Sequence, residues 1–213
     1  MIYLDHAATT PLPEAVADTM YDVLRHQFGN PSAQYPLGRE AKELVEEARR
    51  TIAGALGCQP SALHFTSCGT ESDNQAVFGY GRRGNVVTTE GEHSAVISSV
   101  TELKNRGTAE ARFAPLLPDG RVNVEKLLAL VDEKTSLVSV MHVNNETGGI
   151  NDINAIARAI KEKNPRAVFH SDGVQAYGKI PFRLSGDIDL YSVSAHKIGG
   201  LKPYCVSLNK KIL

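Results

Sequence analysis

The chain has 213 residues, 42% of them hydrophobic and 22% charged, with a net charge of −1 at pH 7. That is globular composition with enough chain for one sizeable core. It carries no basic excess that would point to nucleic acid and no apolar run long enough to span a membrane. The N-terminus has no basic stretch leading into an apolar one, so no signal peptide is expected. Three cysteines, Cys58, Cys68 and Cys205, are too few and too scattered for a disulfide framework. No Cys-x-x-Cys or His-x-x-x-His pair suggests a metal site. A reducing cytoplasm is the expected setting.

Residues 1–10 read as a short strand and a polar loop. Pro11-Leu12-Pro13 leads into a helix over Glu14–Arg25, with proline in its first turn. Gly29-Asn30-Pro31-Ser32 is a turn. From Pro36 to Leu56, apolar residues such as Leu37, Ala41, Leu44, Ala48, Ile52 and Leu56 recur at three-to-four spacing, which predicts an amphipathic helix stopped by Gly57. Ala62–Phe65 reads as a strand, followed by Ser67-Cys68-Gly69-Thr70-Glu71 and a helix through Phe78. A strand, a glycine turn and a helix start can hold a phosphate, because free amides and the positive dipole end face the anion. Gly69 permits close backbone approach, and the Thr70 hydroxyl can donate. Ordinary N-capping by Ser67 or Thr70 accounts for the local sequence equally well.

Asn85–Thr89 is a strand, and Glu92-His93-Ser94 opens a helix whose Val96, Val100 and Leu103 share a face. His93 at that helix start is either a capping residue or a proton-handling imidazole. A strand at Ala111–Phe113, a turn at Pro118-Asp119-Gly120 and a helix over Val124–Val131 follow. The apolar strand Ser136–His142 ends at Asn144-Asn145-Glu146-Thr147-Gly148. Ile153, Ile156, Ala157 and Ile160 mark the next helix. Ala167–His170 is a strand that delivers Asp172, and the apolar run Ile188–Val193 precedes Ser194-Ala195-His196-Lys197-Ile198-Gly199-Gly200. Tyr204–Leu208 can form a last strand. Strands alternate with helices, which predicts an α/β domain with a mostly parallel sheet and helices on both faces. Ligands of such sheets sit at the carboxyl ends of the strands.

Asp172, Gln175, Ser194, His196 and Lys197 fall in two short stretches at the ends of successive strands. A lysine just after a buried strand can form a Schiff base with a carbonyl compound if its site removes the proton. Pyridoxal phosphate needs such a lysine, together with a carboxylate on its ring nitrogen. Asp172 is the candidate carboxylate. One Asp and one Lys alone read equally as a capped turn and a solvated charge, since charged residues are mostly exposed.

The motif His-Ser-Asp-x-x-Gln-Ala, followed by Ser-x-His-Lys-Ile-Gly-Gly, resembles the pyridoxal phosphate-dependent cysteine desulfurases of the class V aminotransferase group. So do Ile2-Tyr3-Leu4-Asp5-His6-Ala7-Ala8-Thr9-Thr10-Pro11, Gly29-Asn30-Pro31-Ser32, Phe65-Thr66-Ser67-Cys68-Gly69-Thr70-Glu71 and His142-Val143-Asn144-Asn145-Glu146-Thr147-Gly148. The blocks stand in the family's order over residues 1 to about 200. The resemblance implies the large domain of the PLP fold type I, with Lys197 carrying the cofactor and Asp172 on its ring nitrogen. It implies Gly69 and Thr70 at the phosphate and His93 stacked on the ring and moving protons. Asn144 would meet the phenolic oxygen or the substrate carboxylate, Gln175 the phenolic oxygen, and Ser194 and His196 the phosphate or ring. L-cysteine or a similar amino acid would be the substrate, with a homodimer as the assembly and a sulfur-acceptor protein as a further partner in iron–sulfur cluster supply. The N-terminal loop would lie near the substrate.

Departures from the family pattern are equally specific. Tyr35 stands where the family usually has a histidine. After Gly200 the family's Pro-Lys-Gly and next glycine are replaced by Leu201-Lys202-Pro203-Tyr204-Cys205. Residues 1–213 therefore read as one large domain with a divergent tail at 201–213 and without the small C-terminal domain. The family's catalytic cysteine, the arginine that grips the substrate carboxylate and a phosphate contact from the partner subunit all belong to the part that does not match. Three readings follow: a truncated desulfurase half that binds cofactor and is inactive, another class V enzyme such as an aminotransferase or selenocysteine lyase, or a non-catalytic chain that binds cofactor or a partner.

Overall fold

The computed structural model describes residues 2–201 and 205–210. Helices α1 (Glu14–His26) and α2 (Pro36–Leu56) precede strand β1 (Leu63–Thr66) and helix α3 (Gly69–Tyr80). Then come β2 (Asn85–Thr89), α4 (Ser94–Asn105), β3 (Glu110–Ala114), α5 (Val124–Leu130) and β4 (Thr135–Ser139). The chain continues through α6 (Ile153–Lys163), β5 (Val168–Asp172), β6 (Leu190–Ser194) and β7 (Cys205–Asn209). The apolar spacing of α2 locates both of its ends, and Gly57 closes it at φ 70°, a left-handed conformation that glycine adopts without strain. The turn expected at Pro118-Asp119-Gly120 forms, with Gly120 at φ 82°.

The seven strands lie in the order β1-β7-β6-β5-β4-β2-β3. Pairings β2/β3, β2/β4, β4/β5 and β5/β6 are parallel, and β7 runs antiparallel between β6 and β1. The sheet is therefore mostly parallel, with β1 pointing the same way as its five parallel companions. On one face, Val77 of α3 and Val96, Val100 and Leu103 of α4 pack on Val86, Leu137 and Val168. On the other, Leu56 of α2, Leu127 of α5 and Ile156 and Ile160 of α6 pack on Val87, Val138, Phe169 and Tyr191. Phe169 and Tyr191 are both fully buried, and a side chain of that size contributes roughly 2–3 kcal/mol on burial.

Two expectations are corrected. Residues 2–10 form no strand; their backbone bonds close a turn, Ala8 N–H to Asp5 carbonyl at 3.2 Å, and reach across to the lysine segment, Thr10 N–H to His196 carbonyl at 3.0 Å. The segment finds hydrogen-bond partners on a loop rather than along a sheet edge. Strand β4 ends at Ser139 rather than His142, although Val140 and His142 still donate to the carbonyls of His170 and Asp172. The start of the last strand expected at Tyr204 lies outside the described residues. Helix α1 has no buried residue, and Ile2 and Leu4 of the N-terminal loop, Leu24 of α1 and Phe28 just after it are exposed.

Gly173 follows β5 with no room for a side chain, because a Cβ there would overlap the ring and hydroxyl of buried Tyr191. Tyr191 is held in place by its hydroxyl against His142 Nδ1 at 2.9 Å. Gly173→Ala is expected to lower stability by about 1–3 kcal/mol through overpacking, read as a lower urea midpoint of the ligand-free chain.

Candidate active site

Because β1, β2, β4, β5 and β6 point the same way, the loops that follow them meet at one edge of the sheet. They enclose a cleft of about 460 Å³ lined by Cys68, Gly69 and Thr70 after β1, His93 after β2, and Met141 and Asn145 after β4. Asp172, Val174 and Gln175 after β5 and Ser194, His196 and Lys197 after β6 complete it, with Asp5, Ala7 and Ala8 from the N-terminal loop and Asp73 from α3. Eight of the nine residues expected from the sequence thus share one cavity: Gly69, Thr70, His93, Asp172, Gln175, Ser194, His196 and Lys197.

Asn144 is the ninth, and its side chain is committed elsewhere. Its Nδ2 donates to the Gly91 carbonyl at 2.8 Å, and its Oδ1 accepts from the amides of Glu146 and Thr147, both at 2.9 Å. It folds the loop after β4, and its neighbour Asn145 lines the cleft instead. The sequence offered two adjacent asparagines, and only the turn geometry separates them.

The start of α3 is open. Neither Ser67 nor Thr70 caps it, and Cys68 at the N-cap makes no side-chain bond to it. Ser67 instead gives both its amide and its hydroxyl to Glu71 Oε2, each at 2.6 Å. By contrast α4, α5 and α6 are capped by His93, Asn123 and Asp152. An uncapped helix end facing a cleft leaves amides for an anion.

His93 accepts the Ala95 amide on Nδ1 at 3.2 Å. That bond places the proton of the neutral ring on Nε2. Asp172 is buried at the end of β5, with Oδ1 accepting the Val174 amide at 2.9 Å. Lys197 stands on a short 3-10 turn, Ala195–Lys197, just past β6. Its amine donates to the carbonyls of Ala7 at 2.7 Å and Ala8 at 2.8 Å. Gln175 Nε2 reaches the same Ala7 carbonyl at 2.8 Å, and its Oε1 accepts from Lys179 Nζ at 2.6 Å.

An aminotransferase class-V family model matches residues 2–204. The chain belongs to the class V aminotransferase family. The cysteine desulfurase IscS of Neisseria meningitidis is 41% identical over 208 residues, which cover 94% of this chain and 51% of that one. A solved NifS-like protein superposes with a TM-score of 0.93 at 37% identity, over 99% of this chain and 59% of that one. The solved structure of SspA in complex with cysteine gives a TM-score of 0.90 at 28% identity, over 99% of this chain and 62% of that one. The chain spans about half the length of the curated relatives it matches. The match supports the large domain of PLP fold type I, and class V aminotransferases and cysteine desulfurases are pyridoxal phosphate-dependent.

The electrostatics of this class V site are set by burial. Desolvation lowers the Lys197 amine, partly offset by Asp172 and Asp5. It raises the Asp172 carboxyl, while the Val174 amide, His93 and Lys197 pull it down. Two further buried carboxyls were not singled out from the sequence: Asp73, raised well above the ordinary range by desolvation and then by Asp172, and Glu92, pushed by burial to about 8. Lys179 was also missed; burial lowers it, and Lys197 lowers it further. Asp73 lies with Ser72, Ala76 and Val77 on the buried face of α3. Among the described residues no group of His, Cys, Asp or Glu could hold a metal, and no helix is long and apolar enough to cross a membrane.

Glu92 makes the stability of the ligand-free chain depend on pH. Its folded value of about 8 lies above its ordinary 4.5, so the folded state binds more protons between those values. Stability conferred by this group is complete below about 4.5 and is lost as pH rises through about 8. Glu92→Gln is expected to flatten that decline by on the order of a few kcal/mol, read from urea unfolding at a series of pH values.

Proposed function

We propose that this chain is the cofactor-binding part of a pyridoxal phosphate-dependent cysteine desulfurase. The observation that carries the reading is the convergence of a buried carboxylate, an uncapped helix start and a lysine of lowered basicity on one cleft. The donor set fits the cofactor. The open end of α3 at Gly69-Thr70 suits the phosphate, and a Cβ at Gly69 would come within 3.3 Å of Val174. Asp172 would hold the ring nitrogen, and Gln175 with Asn145 would meet the phenolic oxygen. Ser194 and His196 would meet the phosphate or ring, and Lys197 would hold the cofactor covalently. His93 would carry protons on Nε2, the ring nitrogen its cap leaves available. When bound, pyridoxal phosphate supplies an electron sink for the substrate's α-carbon.

L-cysteine is the proposed substrate, supported by the names of the relatives and by the cysteine complex of one structural neighbour. In the overall reaction, cysteine and a protein thiol give alanine and a persulfide, so a reactive thiol must reach the substrate sulfur. Cys205 is buried with its thiol pushed up by desolvation, and Cys58 lies outside the cleft. Cys68 lines the cleft, at the helix end assigned here to the phosphate. These 213 residues are therefore expected to take up cofactor weakly and to release no sulfide above that from free cofactor. We further propose a cytoplasmic homodimer that passes sulfur to an acceptor protein. The exposed apolar side chains around α1 support a covered surface in the assembly.

Four measurements test this. Titration with pyridoxal phosphate, borohydride reduction and peptide mapping should place the cofactor on Lys197; a label on nearby Lys179 would overturn the assignment. Asp172→Ala should impair proton loss from bound substrate more than cofactor affinity, since the phosphate contacts remain. Sulfide and alanine assays with cysteine and a reductant should give no turnover above free cofactor, and turnover would direct attention to Cys68→Ser. Sedimentation at micromolar concentration is expected to show a dimer, and a clean monomer would remove that part of the proposal.

A further inference from the structure

Asp73 sits on the first turns of α3 at 1% exposure, among the cleft-lining residues. Its Oδ1 is buried and has no hydrogen-bond partner among the described residues. The nearest basic nitrogen, His170 Nε2, is 3.6 Å away. That approach is not an ion pair, because His170 is fully buried between two hydroxyls, Ser139 Oγ at 2.8 Å and Ser192 Oγ at 3.0 Å. Burial pushes the imidazole down to about 3, so it stays neutral. The other titratable groups facing Asp73 are Asp172 from β5, Glu92 from the loop after β2, Cys205 from β7 and Cys68 at the start of its own helix. None of them brings a positive charge.

Asp73 and Asp172 are both buried, line the same cleft and repel one another, and two such carboxyls do not both ionise when no cation is shared between them. The contacts say which one keeps the proton. Asp172 accepts the Val174 amide and feels the positive charges of Lys197 and His93 when those are protonated. Asp73 has only the Ser192 hydroxyl to favour its anion.

We infer that Asp73 and Asp172 form a two-carboxyl unit that holds one proton at neutral pH, on Asp73, and that Asp73 is thereby a positioning residue that sets the cleft floor at a single negative charge. One charge matches one cationic ring nitrogen, and two would oppose each other across it. The charge match rests on the pyridoxal phosphate reading of the site; the proton assignment does not.

The ligand-free chain tests the assignment by infrared spectroscopy. Glu92→Gln first removes the other carboxyl expected to be neutral. At pH 7 that variant should retain a protonated-carboxyl C=O band, and adding Asp73→Asn should abolish it. Absence of the band in Glu92→Gln, or its persistence in the double variant with loss on adding Asp172→Asn, overturns the assignment. Cofactor-loaded protein tests the positioning role through the pH midpoint of the cofactor's absorbance. Asp73→Asn, neutral and of the same shape, should leave that midpoint where it is, and Asp73→Ala should move it by about one pH unit. Asp73→Ser replaces the alanine variant if that one fails to fold. A shift in Asp73→Asn, or none in the alanine or serine variant, removes the positioning role. A chain that takes up no pyridoxal phosphate refutes the charge match together with the cofactor reading, and the infrared result on the proton still stands.

Discussion

The parallel direction of β1, β2, β4, β5 and β6 is the constraint on which the site depends. Side chains from five separate loops meet only because five strands end at the same edge of the sheet. Strand β7 makes this possible for β1. By running antiparallel between β6 and β1, it turns β1 to the same direction as the rest, so that α3 starts at the cleft and not at the opposite edge. Register matters as much as direction, since a slip of one residue in β5 would exchange Asp172 for a neighbour on the other face. The pairing of His170, Ser171 and Asp172 with Leu190, Tyr191 and Ser192 fixes that register, and Tyr191 packed against Gly173 prevents the slip.

The N-terminal loop is the second element on which the site rests. Thr10 gives both its amide and its hydroxyl to the His196 carbonyl, and Gly199 donates back to the Thr10 hydroxyl at 2.5 Å. The loop is thus tied to the turn that carries Lys197, and its Ala7 and Ala8 carbonyls hold the lysine amine. A protonated amine is the better donor to those carbonyls, so the contact opposes the effect of burial on Lys197. Residues far apart in the chain therefore set the reactivity of the lysine jointly.

Much of this was legible in the sequence because its periodicities are clean. The three-to-four spacing of α2 located that helix to the residue, the strand read at Asn85–Thr89 matches β2, and the alternation of strand and helix gave the sheet its direction. The cleft residues could be named because their motifs resemble those of the cysteine desulfurases, while their position near strand ends alone left the plain readings open. The misreadings have a common origin in backbone bonding that local sequence does not display. The start of residues 1–10 looks like a short strand but bonds to a loop, and the bonds by which Asn144 closes a turn are not displayed by its motif. Asp73 and Glu92 escaped notice because a charged residue on or beside a helix ordinarily faces water. Their burial follows from packing against β5 and β4, which only the assembled sheet shows.

The polar layer beneath the cleft explains why such burial is tolerated. Ser139, His170 and Ser192 come from β4, β5 and β6, three neighbouring strands at the centre of the sheet, and all three are buried. A neutral imidazole has one donor and one acceptor nitrogen, while a hydroxyl can serve as either. The two serines can therefore satisfy both ring nitrogens whichever carries the proton. His170 needs no charge, and it offers none to the carboxyls above it. Glu92 is anchored in the same way, with Oε1 accepting from the Thr89 hydroxyl at 2.8 Å and the Met141 amide at 2.9 Å, which ties the ends of β2 and β4 together. Neutral hydrogen bonding thus carries the structural work under the site. Charge-favouring contacts are concentrated on Asp172, where the Val174 amide and the facing His93 and Lys197 favour its anion. A floor built from ion pairs would have had its charges already matched. Built from neutral groups, it leaves Asp172 to the Val174 amide and to the cationic groups at the mouth of the cleft.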